Sequence, residues 1–161
     1  MDMHHYTECG LDNVWLVNGY DVETFGDHGA AFAVHNERQL WQVVARSIAR
    51  QDGRMVGQEF RFLRSMDLTQ TAVGRRLGHA GYQTVASWER RRRQPVPPAA
   101  DALMRAWYLE SIGERPMMSR INERLTVLAA SAANEHRRVL REPKSEAGWE
   151  AEEAPGEMEF A

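Results

Sequence analysis

The 161-residue sequence has one cysteine, one lysine and no long apolar run. Because Cys9 stands alone, the chain cannot form an internal disulfide, and this is typical of proteins in a reducing compartment. A membrane-spanning helix needs roughly 18 or more apolar residues in succession, and none occurs. Residues 1–5 also lack the basic and apolar regions of a secretion signal. We therefore expect a cytoplasmic protein that does not bind membranes.

Residues that could catalyse a reaction or hold a metal are few and scattered. The sequence contains no HExxH motif, no glycine-rich phosphate loop and no Ser/His/Asp set in a suitable context. Structural zinc takes four good ligands, and Cys9 with His4, His5 and His28 would be an irregular set. The sequence thus predicts no enzyme, no metal and no other cofactor.

The net charge of −3 hides an uneven distribution. Residues 54–95 contain nine basic and three acidic residues, a net charge of +6. Residues 1–53 have a net charge of −5, residues 96–141 of +2 and residues 142–161 of −6. A basic island between acidic flanks is the pattern that binding to nucleic-acid phosphates requires.

Two short amphipathic segments flank a glycine-rich turn within residues 68–95. The Thr69 hydroxyl can cap the first helix, and Gly78 can end it because glycine enters the left-handed region without strain. In the second segment Val85 and Trp88 form the inward face, so the residues at its start point outward. The major groove of DNA, about 12 Å wide, admits such a helix. The pattern predicts a helix-turn-helix unit.

These residues resemble the DNA-binding domain of XRE-type, Cro-like and lambda-repressor-like regulators. The matching positions are Leu68, Thr69, Gln70, Leu77, Gly78, Trp88, Glu89, Arg90 and Pro95. The longer turn with its two glycines is more similar to the C-terminal domain of MqsA-type antitoxins. Those antitoxins carry four metal-ligating cysteines in an N-terminal domain, whereas this chain has one cysteine. The resemblance covers residues 57–112 and implies a mainly α fold with a lambda-repressor-like five-helix domain.

The pattern and the resemblance together predict a set of DNA-contacting residues. They are Gln70, Tyr82, Gln83, Thr84, Ser87, Arg90, Arg91, Arg92 and Arg93. By the resemblance, Gln83 stands where the family places a base-reading asparagine and Ser87 where it places an arginine. Serine cannot make the bidentate guanine contact of arginine, so the DNA sequence read should differ. The alternative for the arginine run is a solvated face without phosphate contacts.

Two further roles follow from the resemblance alone. Gln70 would contact phosphate through its amide, and Glu89 would be the buried partner of an arginine on the first helix of the domain. Arg64 and Arg61 are the candidates for that arginine.

Residues 1–53 are predicted to form a small α+β module. Asn18-Gly19 between two apolar runs is a strong hairpin signal, so strands are expected over 14–17 and 20–25, with a third over 30–35. A helix should follow from the capping residue Asn36 to about residue 51, with Gln39 reaching back in a capping box.

Residues 54–115 should form the helix-turn-helix domain, with further helices over 57–66 and 101–112. Residues 116–141 are predicted to be a long helix with a heptad stripe that could form a dimer or only pack on its own domain. The stripe consists of Ile121, Leu125, Leu128, Ala132, Glu135 and Val139. Residues 142–161 are acidic and poor in apolar residues, so they are expected to be a disordered tail.

We therefore expect a sequence-specific transcriptional regulator, a dimeric repressor that binds an inverted repeat in double-stranded DNA and is associated with the nucleoid when bound. The alternative is an antitoxin whose N-terminal module binds a partner toxin and which regulates its own operon.

Overall fold

The computed structural model describes residues 2–114, 137–143 and 148–152. These residues form five α-helices and two β-sheets, so the architecture is mixed α+β. The expectation of a mainly α fold is wrong, because strands from both ends of the chain join in a four-stranded sheet. None of the helices in the described part is both long enough and apolar enough to span a membrane.

The chain divides into two compact units. The first, here called the sheet unit, is Met1–Val44 with His136–Ala161, and the second, the helical unit, is Ala45–Glu135. The division lies within helix α1 (Glu37–Arg50), whereas the sequence suggested a boundary after residue 53.

Six strands of the sheet unit are described. They are β1 (His4–His5), β2 (Val14–Leu16), β3 (Tyr20–Thr24), β4 (Ala30–Val34), β5 (Arg138–Arg141) and β6 (Glu150–Ala151). The main sheet has the order β1-β2-β5-β6, with β2 and β5 parallel and the other neighbours antiparallel. Strands β3 and β4 form a separate antiparallel pair, here called the ribbon. Val14, Leu16 and Leu140 of the main sheet are completely buried.

The predicted hairpin across Asn18-Gly19 is wrong, because β2 pairs with β1 and β5 and not with β3. The Oδ1 atom of Asn18 instead accepts a hydrogen bond of 2.6 Å from the backbone N–H of Glu142. A Cβ atom at Gly19 would lie 2.4 Å from the Trp149 ring, so only glycine leaves room for the indole. Asn18-Gly19 therefore carries the chain from one sheet to the other.

The chain returns to the sheet unit after residue 136. The sequence placed Arg138–Arg141 in the long dimerisation helix, but these residues form β5, which includes Val139 of the heptad stripe. Residues 116–136 of that predicted helix lie outside the described residues. Trp149, expected in a disordered tail, is 3% exposed and donates its indole N–H to the carbonyl oxygen of His35. Both predictions failed because the partners of these residues lie more than a hundred positions earlier in the chain.

The side chain of His35 connects the ribbon to the segment after β5. Its Nε2 atom lies 2.8 Å from a carboxylate oxygen of Asp21, and its Nδ1 atom lies 3.0 Å from a carboxylate oxygen of Glu142. The hydrogen bond to Asp21, and then the one to Glu142, raises the pKa of His35 above its ordinary value of 6.5. The stabilisation from protonated His35 is therefore fully present at pH values below its ordinary pKa of 6.5. It is lost as the pH rises through the raised pKa.

Helix α1 buries the apolar side chains of Leu40, Val44 and Ile48. Asn36 precedes the helix, and its carbonyl oxygen accepts the N–H of Leu40. Gln39 was predicted to reach back to Asn36, but its Oε1 atom accepts the backbone N–H of Trp149. The side chain thus joins α1 to the returning segment.

The helical unit contains α2 (Gly57–Ser65), α3 (Gln70–Arg76), α4 (Gln83–Arg90) and α5 (Pro98–Ser111). Helix α5 starts at Pro98, before the predicted start at residue 101, and proline suits the first position of a helix because the N–H there has no partner within the helix. It buries Met104 and Tyr108, whereas Leu103 and Trp107 are only half-buried. The side chains that fill this core are Phe60, Phe62, Leu63, Val73, Val85, Val96 and Met104.

A buried ion pair on α5 fixes the segment before α2. Asp101 and Arg105 are 0% and 3% exposed, and their side chains are joined at 2.5 Å. Asp101 also accepts the backbone N–H of Met55 at 2.5 Å, and Arg105 donates to the carbonyl oxygens of Gln51 and Gly53. Sequence reasoning missed this pair because charged residues on a helix are usually exposed.

We predict that Arg105→Met lowers the free energy of unfolding by about 3–5 kcal/mol, because it leaves the carboxylate of Asp101 buried without its partner. Urea denaturation measures the change. The control is Arg50→Met, since Arg50 forms an exposed ion pair with Glu114 and should contribute less than about 1 kcal/mol. Equal losses for the two variants would contradict the structural role of the buried pair.

Candidate nucleic-acid interface

Helix α3 has defined ends on both sides. The Thr69 hydroxyl accepts the backbone N–H of Ala72 at 3.0 Å, which confirms the predicted cap. At the other end Gly78 has a φ of +86°, its N–H donates to Arg75, and the N–H of His79 donates to Gly74. This pair of hydrogen bonds is a Schellman motif. It fixes the direction in which the chain leaves α3 toward α4.

Gly74 holds the turn against α3. It is buried, and a Cβ atom there would lie 2.1 Å from the carbonyl oxygen of Gly81. The backbone of the turn therefore contacts the backbone of the helix directly. A glycine inside a helix costs about 1 kcal/mol relative to alanine, so its presence in the sequence indicated a packing requirement. Sequence reasoning did not use that signal and missed Gly74.

A two-bond ion pair joins α4 to α2. Nε and Nη2 of Arg64 each donate to one oxygen of Glu89 at 2.8 Å, and Nη1 donates to the carbonyl oxygen of Leu68. The side chains are 12% and 4% exposed. This confirms that Glu89 is the buried partner of an arginine on the first helix of the domain, and it selects Arg64 over the exposed Arg61.

The ion pair also sets the charge of the surface around α3 and α4. Glu89 is the only acidic residue within residues 68–95, and Arg64 neutralises it. Residues 68–95 therefore contribute no exposed carboxylate that could neutralise the arginines of this stretch. Arg75 is exposed at the end of α3, and the guanidinium carbon of Arg76 lies 5.3 Å from the centre of the Trp107 ring.

The predicted base-contacting residues lie at the start of α4. Tyr82 is 51% exposed and precedes the helix, and Gln83, its first residue, is also exposed. Thr84 and Ser87 are half-buried, as is Gln70 at the start of α3. The structure therefore presents Tyr82 and Gln83 most openly.

Core contacts hold the opposite side of α4 in place. Val85 and Ala86 are buried. Trp88, predicted as a core residue, is half-buried and meets the rings of Phe60 and His79 edge-on at 5.9 Å. Helix α4 is thus fixed by its inner side while its first residues remain accessible.

The four arginines do not continue α4 as a single helix. The helix ends at Arg90, and the N–H of Gln94 donates to the carbonyl oxygen of Arg91 across a turn. Arg92 donates from Nη2 to the side chain of the buried Gln58, and its carbonyl oxygen accepts the N–H of Gln58. Arg92 therefore helps to dock the turn on α2. Arg90, Arg91 and Arg93 are exposed as well, so the run presents several cations at the C-terminal end of α4.

The cysteine and histidines considered as ligands do not form a metal site. Within the described ranges, no group of three or more His, Cys, Asp or Glu side chains could hold a metal ion. The Cys9 thiol donates to the carbonyl oxygen of Tyr6, and burial raises its pKa to about 11. Burial therefore favours the protonated thiol over the thiolate.

Comparison with known proteins found no matching family model, no matching curated protein and no matching solved structure.

We predict that Gly74→Ala destabilises the protein by about 1–3 kcal/mol, because the new methyl group overlaps the backbone of Gly81 and the turn must shift. Gly81→Ala is the matched control, since a Cβ atom there would meet only the end of the Gln83 side chain, at 2.8 Å. In urea denaturation, the free energy of unfolding should be clearly lower for Gly74→Ala than for Gly81→Ala. The reverse order would show that the turn does not depend on this close approach.

Proposed function

We propose that the protein is a sequence-specific DNA-binding regulator that inserts the start of α4 into the major groove. The observation that carries this proposal is the exposure of Tyr82 and Gln83 at the first turn of a helix whose opposite side is buried. In helix-turn-helix proteins the N-terminal residues of the recognition helix contact base edges. Helices α2 to α5, with the C-terminal half of α1, would supply the lambda-repressor-like five-helix arrangement.

The chemistry of the exposed residues suits base recognition. The amide of Gln83 can donate one hydrogen bond to adenine and accept another, a contact worth about 1–3 kcal/mol of discrimination. Tyr82 adds a hydroxyl and an aromatic ring beside it. Thr84 and Ser87 are half-buried, and their hydroxyl groups offer single hydrogen bonds at the edge of the contact. Gln83 is therefore the main candidate for reading a base.

Positive charge beside α4 supports binding to the DNA backbone. Arg90, Arg91 and Arg93 are exposed at the end of the helix, and Glu89 is already neutralised by Arg64. Arg92 is bonded to Gln58, so its role is to orient this turn as well as to add charge. Gln70 at the start of α3 would contact a phosphate from the other helix, where backbone N–H groups also favour an anion.

We propose further that the protein acts as a dimeric repressor. A dimer with two-fold symmetry would place two copies of α4 in successive major grooves of an inverted repeat, about 34 Å apart. The resemblance of residues 68–95 to XRE-type and MqsA-type DNA-binding domains supports this role. The antitoxin alternative stays a prediction, and a toxin-sized reading frame beside the gene would favour it.

We predict that Gln83→Ala weakens binding to a preferred duplex, selected from random-sequence DNA, by about 1–3 kcal/mol. Binding to unrelated duplexes should change little, because phosphate contacts dominate there. Fluorescence anisotropy with both duplexes measures the two affinities. Gln42→Ala on α1 is the control for loss of an exposed glutamine. Equal losses on both duplexes would remove Gln83 from base readout.

Replacing both Arg90 and Arg91 by alanine should reduce affinity for all duplexes. It should also flatten the dependence of log K on log salt by roughly 0.9 for each lost phosphate contact. A titration of affinity against salt concentration tests this. Arg50→Ala removes an exposed arginine that is paired with Glu114 and should leave the slope unchanged. If the double variant keeps the original slope, these arginines face solvent in the complex.

A further inference from the structure

The ribbon of the sheet unit exposes an apolar face. Side chains alternate along its strands, so Val22 lies across from Phe32 on one face, while Asp21 and Glu23 lie on the other. Val22 is 50% exposed and Phe32 is 38% exposed. Exposed apolar side chains grouped in this way indicate an interaction surface.

The outer edge of β4 is open to further strand pairing. The N–H of Phe25 donates to Gly29 and that of His35 donates to Gly19, which fixes the alternation of bonded and non-bonded pairs between the strands. Ala31 and Ala33 therefore direct their backbone groups toward β3. Ala30, Phe32 and Val34 direct theirs away from it, and within the described residues no strand pairs with that edge. Ala30–Val34 is exposed or half-exposed along its whole length.

The charge pattern distinguishes the two edges of the ribbon. Strand β4, with the sequence AAFAV, has no charged residue, whereas β3 carries Asp21 and Glu23. Exposed edge strands are normally protected from self-pairing by charged side chains, above all lysine. The edge of β4 lacks that protection, while pairing of β3 with a second β3 would bring carboxylates together. The pattern thus permits pairing between copies at β4 and opposes it at β3.

We propose that two copies of this chain associate by antiparallel pairing of their β4 strands. The two-fold axis would pass between Phe32 and Phe32 of a second copy, and Ala30 would pair with Val34 of that copy. In this register every outward backbone group of β4 finds a partner, and the apolar faces of both ribbons form one continuous surface. The acidic β3 strands become the outer edges, so the assembly closes as a dimer and does not extend into a filament.

This dimer would supply the two-fold symmetry of the proposed repressor. Only this role of the dimer rests on the proposed function. The pairing itself depends on the ribbon alone. It also replaces the predicted heptad stripe, whose last residue, Val139, pairs within the main sheet.

Sedimentation equilibrium of the full chain without DNA tests the proposal. The wild-type protein should dimerise, and Phe32→Lys should weaken dimerisation at least about tenfold, because two lysines would face each other across the axis. An equal mixture of the Phe32→Lys and Phe32→Glu proteins should restore a dimer, since opposite charges then meet. Ala31→Lys, on the other face of the same strand, is the matched control and should dimerise like the wild type.

Phe32 also stacks on His4 at 3.7 Å, so Phe32→Lys could disturb the sheet unit itself. Ala30→Pro provides a second test, because proline at the first position of an edge strand removes only an outward N–H. It should weaken the dimer about tenfold and leave the circular dichroism spectrum unchanged.

If the wild-type protein is a monomer at all concentrations, the proposal is overturned. This holds even if the monomer binds a different protein through the ribbon. So does a dimer that tolerates both Phe32→Lys and Ala30→Pro, or a charge-swapped mixture that stays monomeric although each variant is folded. A dimer that fails to bind any DNA would overturn the proposed function and leave the ribbon pairing intact. A monomer that binds DNA would overturn the ribbon pairing and leave the proposed DNA binding intact.

Discussion

The ion pair between Arg64 and Glu89 is the interaction on which the candidate interface depends. Its two hydrogen bonds of 2.8 Å join α2 to α4, and it removes the only negative charge of residues 68–95. Orientation and charge are therefore set by the same contact. Around it, Gly74 brings the turn against α3, and Arg92 bonds to Gln58 behind the end of α4. These three contacts fix the position of α4, from which the accessible residues Tyr82 and Gln83 project.

The sequence predicted the helical unit well because its signals are local. The cap at Thr69, the left-handed Gly78 and the buried Val85 each depend on residues within one or two helical turns, and all three are present in the structure. The Asp101–Arg105 pair was missed because its acceptors and donors, at residues 51–55, lie far away in the chain. The charge of a side chain does not reveal whether a distant backbone segment will surround it.

The sheet unit was predicted poorly for the same physical reason. Asn18-Gly19 carries a strong local signal for a hairpin, but the packing of Trp149 on Gly19 and the hydrogen bond from Glu142 to Asn18 determine its actual role. In β5, apolar Val139 and Leu140 stand between arginines, a pattern too short to separate helix from strand. Only the pairing of β5 with β2, across more than a hundred residues, makes it a strand.

The main sheet has a further consequence for synthesis of the chain. Strand β2 lies between β1, which precedes it in the chain, and β5, which is synthesised only after the helical unit. Domains generally fold in the order of translation, so the helical unit can fold while the sheet is still incomplete. During that interval the nascent chain exposes the apolar strand β2, and a truncated product would expose it permanently. Such products should be preferred substrates for chaperones and proteases.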